Sequence, residues 1–262
     1  MASTVTPSTA GTFDAPASWQ AVDLISDLHL QASEPGTFEA WRAHMAATTA
    51  DAVFLLGDVF EVWVGDDAVA SDPFLQACAQ VLRATSQRLT VGFMSGNRDF
   101  LVGEAFLHSC GLTALQDPTL LRWGPARILL THGDALCLDD QAYQRFRAVS
   151  RTAAWQSEFL ARPLAERLAL AQHMRAQSEA HNQSVAYFAD ADPDMTRDWL
   201  QTHSALHLVH GHTHRPADHA VPGLPQASRQ VLSDWHAGPE GLRAEVLRLH
   251  ADGRRTRLSP QT

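Results

Sequence analysis

Residues 205–214 read Ala-Leu-His-Leu-Val-His-Gly-His-Thr-His, an apolar, strand-like run over Ala205–Val209 that breaks into three histidines within five residues. Three imidazoles placed directly after a buried-looking strand are costly unless they bind something. The same event occurs four more times. Ser26-Asp27-Leu28-His29 follows Ala21–Ile25, and Gly57-Asp58 follows Ala52–Leu56. Gly96-Asn97-Arg98-Asp99 follows Leu89–Met94, and His132-Gly133-Asp134 follows Arg127–Leu130. In α/β proteins the loops at strand C-termini converge on one edge of the sheet, which is where sites are built. Five such junctions predict a composite metal centre on an α/β fold.

The residue types narrow the chemistry. Asp27, His29, Asp58, Asn97, His132, His212 and His214 form a mixed oxygen and nitrogen set. Two cations roughly 3.5–4 Å apart, joined by one carboxylate, neutralise charge and make a nucleophile from water in phosphoryl hydrolysis. Asp58 can bridge, because each of its oxygens can take a metal. Asn97 adds an oxygen without adding charge, and each histidine needs its second nitrogen oriented by another group. A thiolate-type structural zinc site is excluded. The set fits Mn²⁺ best, with Fe²⁺, Zn²⁺ or Co²⁺ also compatible. Taken singly, Asp-x-His is a loop or cap signal, and Gly-Asp or Gly-Asn-Arg-Asp is a turn signal. The joint occurrence carries the reading.

These blocks resemble the calcineurin-like metallophosphoesterases, whose signature is Asp-x-His, Gly-Asp, Gly-Asn-[His/Arg]-Asp, His-Gly and Gly-His-x-His. Most of that superfamily has a histidine after the asparagine, and here the residue is Arg98. The longer strings 26–30 (SDLHL), 57–67 (GDVFEVWVGDD), 96–101 (GNRDFL), 131–140 (THGDALCLDD) and 210–216 (HGHTHRP) are similar to the bacterial UDP-2,3-diacylglucosamine pyrophosphohydrolases, as is Ser233-Asp234-Trp235-His236. The resemblance spans about residues 20 to 250. It implies a four-layer α/β/β/α sandwich with a helical cap. It implies Mn²⁺-dependent cleavage of the pyrophosphate of UDP-2,3-diacylglucosamine to UMP and 2,3-diacylglucosamine 1-phosphate, an early lipid A intermediate. One Mn²⁺ would sit on Asp27, His29, Asp58 and His214, and the second on Asp58, Asn97, His132 and His212. Metal-activated water would attack the uridine-side phosphorus, with the Arg98 fork on the phosphate oxygens. Substrate contacts would extend to Asn97, Asp140, Ser178, Asn182 and His212. The family lysine three residues beyond Asn182 is Val185 here, in a chain without any lysine. Arg175, three residues before Ser178, is a candidate replacement.

Residues 1–18 are rich in Ser, Thr, Ala and Pro without Lys or Arg, and read as a disordered tail. Residues 19–139 and 201–262 read as the two parts of the core. Helix spacing is expected over Thr37–Thr49 and Pro73–Thr85. Strands are expected at Gln230–Leu232, Leu242–Leu249 and Arg254–Leu258, where they would build a second sheet. Between 140 and 200 strand signals nearly vanish, and this segment interrupts the order of the metal motifs. It is expected to be a helical cap. The whole chain carries net charge −9, while residues 141–178 hold six Arg and two Glu, a net of +4, leaving −13 elsewhere. That segment could pack on the core or lie on an anionic membrane surface. The acidic remainder argues against nucleic acid. No window approaches the ~20 apolar residues of a membrane span, and three cysteines without metal spacing read as buried thiols in a reducing cytosol. The expected setting is therefore cytoplasmic, peripheral on the inner face of the inner membrane, with a UDP-linked diacylated sugar as substrate and no obligate protein partner. Two alternatives are a metallophosphoesterase for a soluble nucleotide or phosphodiester, and a metal-poor protein-binding scaffold. An apolar tunnel rather than an open polar cleft distinguishes the lipid substrate, and loss of ligands would mark the scaffold.

Overall fold

Ala21–Ile25 and Ala52–Leu56 are buried at every position, the mark of strands covered on both faces. The structure, a computed structural model, describes residues 9–184 and 190–261, with the side chains of 176–184 outside that description. The first half of the chain forms β1 (Gly11–Asp14), β2 (Ala21–Ile25), α1 (Pro35–Ala47), β3 (Ala52–Leu56), α2 (Pro73–Ser86), β4 (Thr90–Met94), α3 (Glu104–Ser109), β5 (Thr113–Ala114), β6 (Thr119–Trp123) and β7 (Ala126–Leu130). Four helices follow: α4 (Gln141–Ser150), α5 (Ala153–Leu160), α6 (Leu164–Ser184) and α7 (Pro193–Thr202). The chain ends in β8 (His207–His210), β9 (Ala217–Val221), β10 (Leu224–Val231), β11 (His236–Gly238), β12 (Gly241–Arg243), β13 (Val246–His250) and β14 (Arg255–Leu258).

Two six-stranded sheets result, ordered β14-β13-β2-β3-β4-β5 and β1-β6-β7-β8-β10-β9, with β11 and β12 as a separate ribbon. Val22, Leu24, Phe54 and Leu56 from the first sheet meet Leu121, Ile128, Leu130 and Val209 from the second in one buried cluster. The opposite face of the first sheet packs Ile25, Val53, Leu55 and Phe93 against Trp41 and Met45 of α1, Cys78 and Leu82 of α2, and Phe106 of α3. The outer face of the second packs Leu129 and Leu208 against Trp199 and Leu200 of α7. The layers are therefore α/β/β/α, as expected. The three cysteines are free and buried.

Three expectations change. The tail expected over residues 1–18 contains strand β1, which pairs in parallel with β6 from Gly11 to Asp14. Phe13 gives it an apolar anchor, stacking near Trp19 at 5.8 Å and meeting Phe54 edge-on at 4.9 Å; residues 1–8 lie outside the description. The C-terminal strands do not build the second sheet alone. β13 and β14 add antiparallel to the edge of the first, beside β2, and only β10 joins β8 in the second. The expected strand Leu242–Leu249 is split between β12 and β13. Within the expected cap segment 140–200, α7 packs on the outer face of the second sheet, while α4 and α6 reach the strand edge through Arg147 and Arg175.

Asp23 explains why β13 sits beside β2. It is fully buried in the middle of β2, where the apolar run has no other charge. Arg248 is its register partner on β13 and donates to it from Nε at 2.6 Å and Nη2 at 2.9 Å. Thr48 donates from its hydroxyl at 2.6 Å. Burial pushes the Asp23 carboxyl up, but Arg248, His44 and Thr48 outweigh it and hold it at about 2. The carboxyl is depressed, so its contribution to stability is present above the ordinary 3.8 and is lost as pH falls toward about 2. Arg248→Met should cost about 3–5 kcal/mol at neutral pH, because it leaves a buried carboxylate unpaired. Denaturant unfolding measures this, and the penalty relative to wild type should shrink as the pH is lowered through that window.

Candidate metal centre and substrate cleft

Backbone conformation singles out the centre before any side chain is considered. Among the described residues, six non-glycine positions have positive φ: Asp27 (53°), His29 (47°), Asp58 (52°), His212 (66°), His214 (52°) and Ser204 (51°). Five of the six are expected metal ligands. Residues held in this region cost of order 1–3 kcal/mol each and persist where surrounding structure over-determines them. The strain lies where β2, β3 and β8 end, and it turns each side chain over the sheet edge.

The motif glycines permit the approach. A Cβ on Gly96 would strike the Asp58 carboxylate and backbone nitrogen, and one on Gly211 would strike Asp27 Oδ2 and Ser26 Oγ. Asp99, the last residue of Gly-Asn-Arg-Asp, is fully buried. It accepts hydrogen bonds from the amides of Gly96 at 2.7 Å and Val59 at 2.8 Å, and more weakly from Asp58 at 3.3 Å. It therefore ties the Asn97 loop to the Asp58 loop. Burial, then the charge of Asp58, push its carboxyl up to about 6.

All seven expected ligands come together. Asp27, His29 and His214 present donor atoms within 4.8 Å of one another, as do Asp27, Asp58 and His132. His29 Nε2 and His214 Nε2 are 3.2 Å apart, and His214 Nε2 is 3.3 Å from Asp27 Oδ1. On the other side, Asn97 Oδ1 lies 2.9 Å from both His132 Nε2 and His212 Nδ1. His132 Nε2 is 3.6 Å from Asp58 Oδ1. His132 Nδ1 faces the Leu56 carbonyl at 3.0 Å, so that nitrogen donates, and Nε2 is the atom turned toward the Asn97 amide oxygen. The gathered donor set suits a divalent ion with oxygen and imidazole ligands.

The electrostatics agree. Burial pushes Asp27 up, yet His214, His132 and His29 hold it well below the carboxylate range. Burial opposes charge on His132 and His29, but Asp58 and Asp27 act on both and, with Glu61 beside His29, raise each to about 9. The pocket attracts positive charge.

Arg98 turns its guanidinium toward Glu61 rather than toward its neighbour Asp99. Its backbone amide donates to Asp58 Oδ1 at 2.8 Å, and its Nη1 lies 3.7 Å from Glu61 Oε1. Arg175 on α6 lies 3.0 Å from the same oxygen. Glu61 is a residue sequence reasoning passed over, although it sits inside the quoted string 57–67. Asp140 caps α4, accepting from the Tyr143 amide at 2.9 Å. Ser178 and Asn182 fall on α6 in the backbone, but their side chains lie outside the described residues, as does Val185. Asp134 is a second overlooked carboxylate. It is fully buried, accepts from Arg147 Nε at 2.9 Å and from the Tyr143 hydroxyl, and fastens α4 beside His212.

A cavity of about 400 Å³ opens beside the centre. Its lining includes the polar Asn97, Arg98, Asp140 and Arg175 and the aromatic Trp63, Phe100, Phe146, Trp155 and Phe159. Its aromatic wall is continuous. Trp155 stacks on Phe159 at 5.0 Å and lies 6.0 Å from both Phe100 and Phe146. The basic character of the helical segment is largely spent inward. Arg147 reaches Asp134, Arg151 donates to the Gly96 carbonyl at 2.8 Å, Arg167 pairs with Asp67, and Arg175 with Glu61. Among the described residues no helix is long and apolar enough to cross a membrane.

Residues 21–216 match the family model for the calcineurin-like phosphoesterases. The chain is 45% identical to a UDP-2,3-diacylglucosamine hydrolase of Chromobacterium violaceum, over 84% of this chain and 93% of that protein. It is 44% identical to one of Bordetella parapertussis, over 82% of this chain and 87% of that protein, and 41% identical to one of Xanthomonas oryzae pv. oryzae, over 88% and 95%. With a strained, histidine- and carboxylate-rich strand edge and similarity along most of its length, the chain belongs to the calcineurin-like phosphoesterases, a family of hydrolases, and within them to the family of the UDP-2,3-diacylglucosamine hydrolases.

Proposed function

We propose that this protein hydrolyses the pyrophosphate bond of UDP-2,3-diacylglucosamine, giving UMP and 2,3-diacylglucosamine 1-phosphate for lipid A biosynthesis. The observation that carries the reading is the joining of two unlike environments. A centre of carboxylates and imidazoles opens into an aromatic cavity with Arg98 and Arg175 at the junction. Two acyl chains need a place out of water, and the aromatic wall offers one.

In this reading Asp27, His29, Asp58 and His214 hold one Mn²⁺, and Asp58, Asn97, His132 and His212 hold a second. When bound, such a pair supplies Lewis-acid polarisation of phosphoryl oxygens and a nucleophile from water at neutral pH. The chain's own residues do the rest. Asp58 orients both halves of the centre, its carboxylate being fixed by the Arg98 amide. The Arg98 and Arg175 guanidiniums stand where charge on the diphosphate grows, and suit it by their fork of donors. The aromatic wall excludes water around the sugar and its acyl chains. Asn97 and His212 at the centre, and Asp140, Ser178 and Asn182 along α4 and α6, are the remaining candidate contacts to the nucleotide and sugar. Arg175 takes the place of the family lysine that Val185 lacks.

Residues 140–200 serve as the lid in this account, with α4–α6 as its working part and the core on either side. Approach to an anionic membrane surface rests less on arginines than on exposed apolar side chains. Val149, Leu160 and Leu168 on α4–α6 and Val62 near the cavity are 38–55% exposed. The protein would work in the cytoplasm, peripheral on the inner membrane, without an obligate protein partner.

Metal-free protein given UDP-2,3-diacylglucosamine should release UMP only when Mn²⁺ is added. Release of UDP instead would move the cut to the bond between sugar and phosphate, and no turnover of the lipid in Mn²⁺ while an aryl phosphodiester is cleaved would remove the lipid assignment. Asp58→Ala removes the ligand common to both positions and should abolish turnover, with a fall in bound Mn²⁺ seen by elemental analysis. Near-normal kcat in that variant would exclude a bridged pair.

A further inference from the structure

We propose that Glu61 is a positioning residue that couples the first metal position to the arginines of the cavity. The inference rests on the dinuclear reading given above. Glu61 lies three residues beyond Asp58, in the loop after β3, and only 7% of its surface is exposed. Its two oxygens divide their work. Oε2 is 3.0 Å from His29 Nδ1. Oε1 is 3.0 Å from Arg175 Nη1 and 3.7 Å from Arg98 Nη1. One carboxylate thus touches a candidate metal ligand, a guanidinium from the core and a guanidinium from α6.

The backbone makes this arrangement rigid. The Glu61 amide donates to the Leu30 carbonyl at 3.2 Å, and the Leu30 amide to the Val59 carbonyl at 2.9 Å. The Glu61 loop is therefore stitched to the loop that carries His29. Phe60, fully buried against Trp63 and Phe106, holds it from below.

Two consequences follow. His29 Nδ1 turned to a carboxylate leaves Nε2 as the free ligand atom, aimed beside His214, and a carboxylate partner raises the basicity of a ligating imidazole. The two guanidiniums would repel each other if left unscreened. One carboxylate between them holds both at the cavity, where the anionic diphosphate would bind. The Arg175 contact also ties the lid helix to the catalytic edge, so lid position and metal-ligand orientation meet in one side chain.

The test is a Mn²⁺ titration of metal-free wild type, Glu61→Gln and Arg175→Ala by calorimetry, with steady-state kinetics on each. Glu61→Gln should bind one of the two Mn²⁺ roughly 10–100-fold more weakly and show a raised KM. Arg175→Ala should raise KM and leave both Mn²⁺ affinities unchanged. The KM effects should combine less than additively in the double variant, since both act through one contact. Glu61→Asp keeps the charge and shortens the side chain, and should lose part of the affinity; it also serves if Glu61→Gln does not fold. Wild-type Mn²⁺ affinities and KM in Glu61→Gln, or in a folded Glu61→Asp when that is the variant available, would overturn the proposal. Wild-type protein that takes up fewer than two Mn²⁺ overturns the dinuclear reading itself, before any variant is compared.

Discussion

Negative charge buried at a sheet edge is the constraint on which this molecule depends. Asp27 and Asp58, almost without solvent access, share a cluster with His132 whose donor atoms lie within 4.8 Å of one another. Carboxylates so placed are expensive unless cations or donors meet them. The chain supplies imidazoles, backbone amides and two flanking arginines, and bends its backbone to do so. Asp27, His29, Asp58, His212 and His214 all adopt positive φ, strain that the packed sandwich beneath them sustains. Gly96 and Gly211 are glycines because a carboxylate passes where a Cβ would stand. Fold and site are thus one problem: the parallel strands that bring the loops together are buried on both faces, and that burial lets the loops hold strained conformations.

Much of this was legible in the sequence because ligand residues follow strand ends immediately. The order of apolar run, turn and ligand needs no knowledge of sheet order. Sheet order was less accessible. Nothing in Leu247 or Leu249 tells which sheet they join; Asp23, a charge inside an apolar strand, was the available signal, since it demanded a partner such as Arg248. β1 escaped notice because four residues in a Ser/Thr-rich stretch carry little strand pattern, and their pairing depends on the distant β6. Glu61 and Asp134 escaped because a carboxylate that serves other side chains has no spacing of its own.

The helical segment shows the limit of charge counting. A net of +4 over residues 141–178 is compatible both with packing on the core and with an anionic membrane surface. Arg147, Arg151, Arg167 and Arg175 satisfy Asp134, the Gly96 carbonyl, Asp67 and Glu61. These arginines fasten helices to an acidic core, so the segment's charge complements the chain's own −13 remainder. Among the outward residues of α4–α6 are the apolar Val149, Leu160 and Leu168, beside polar ones such as Arg145, Glu158 and Glu166.

The proposed pair of metals bridged by Asp58 is open to direct observation. The most direct measurement is anomalous diffraction at the manganese edge from crystals grown with Mn²⁺. Two peaks roughly 3.5–4 Å apart are expected with Asp58 between them, His29 and His214 beside one, and His132 and His212 beside the other. A single peak, or two peaks that do not share Asp58, would contradict the bridged pair.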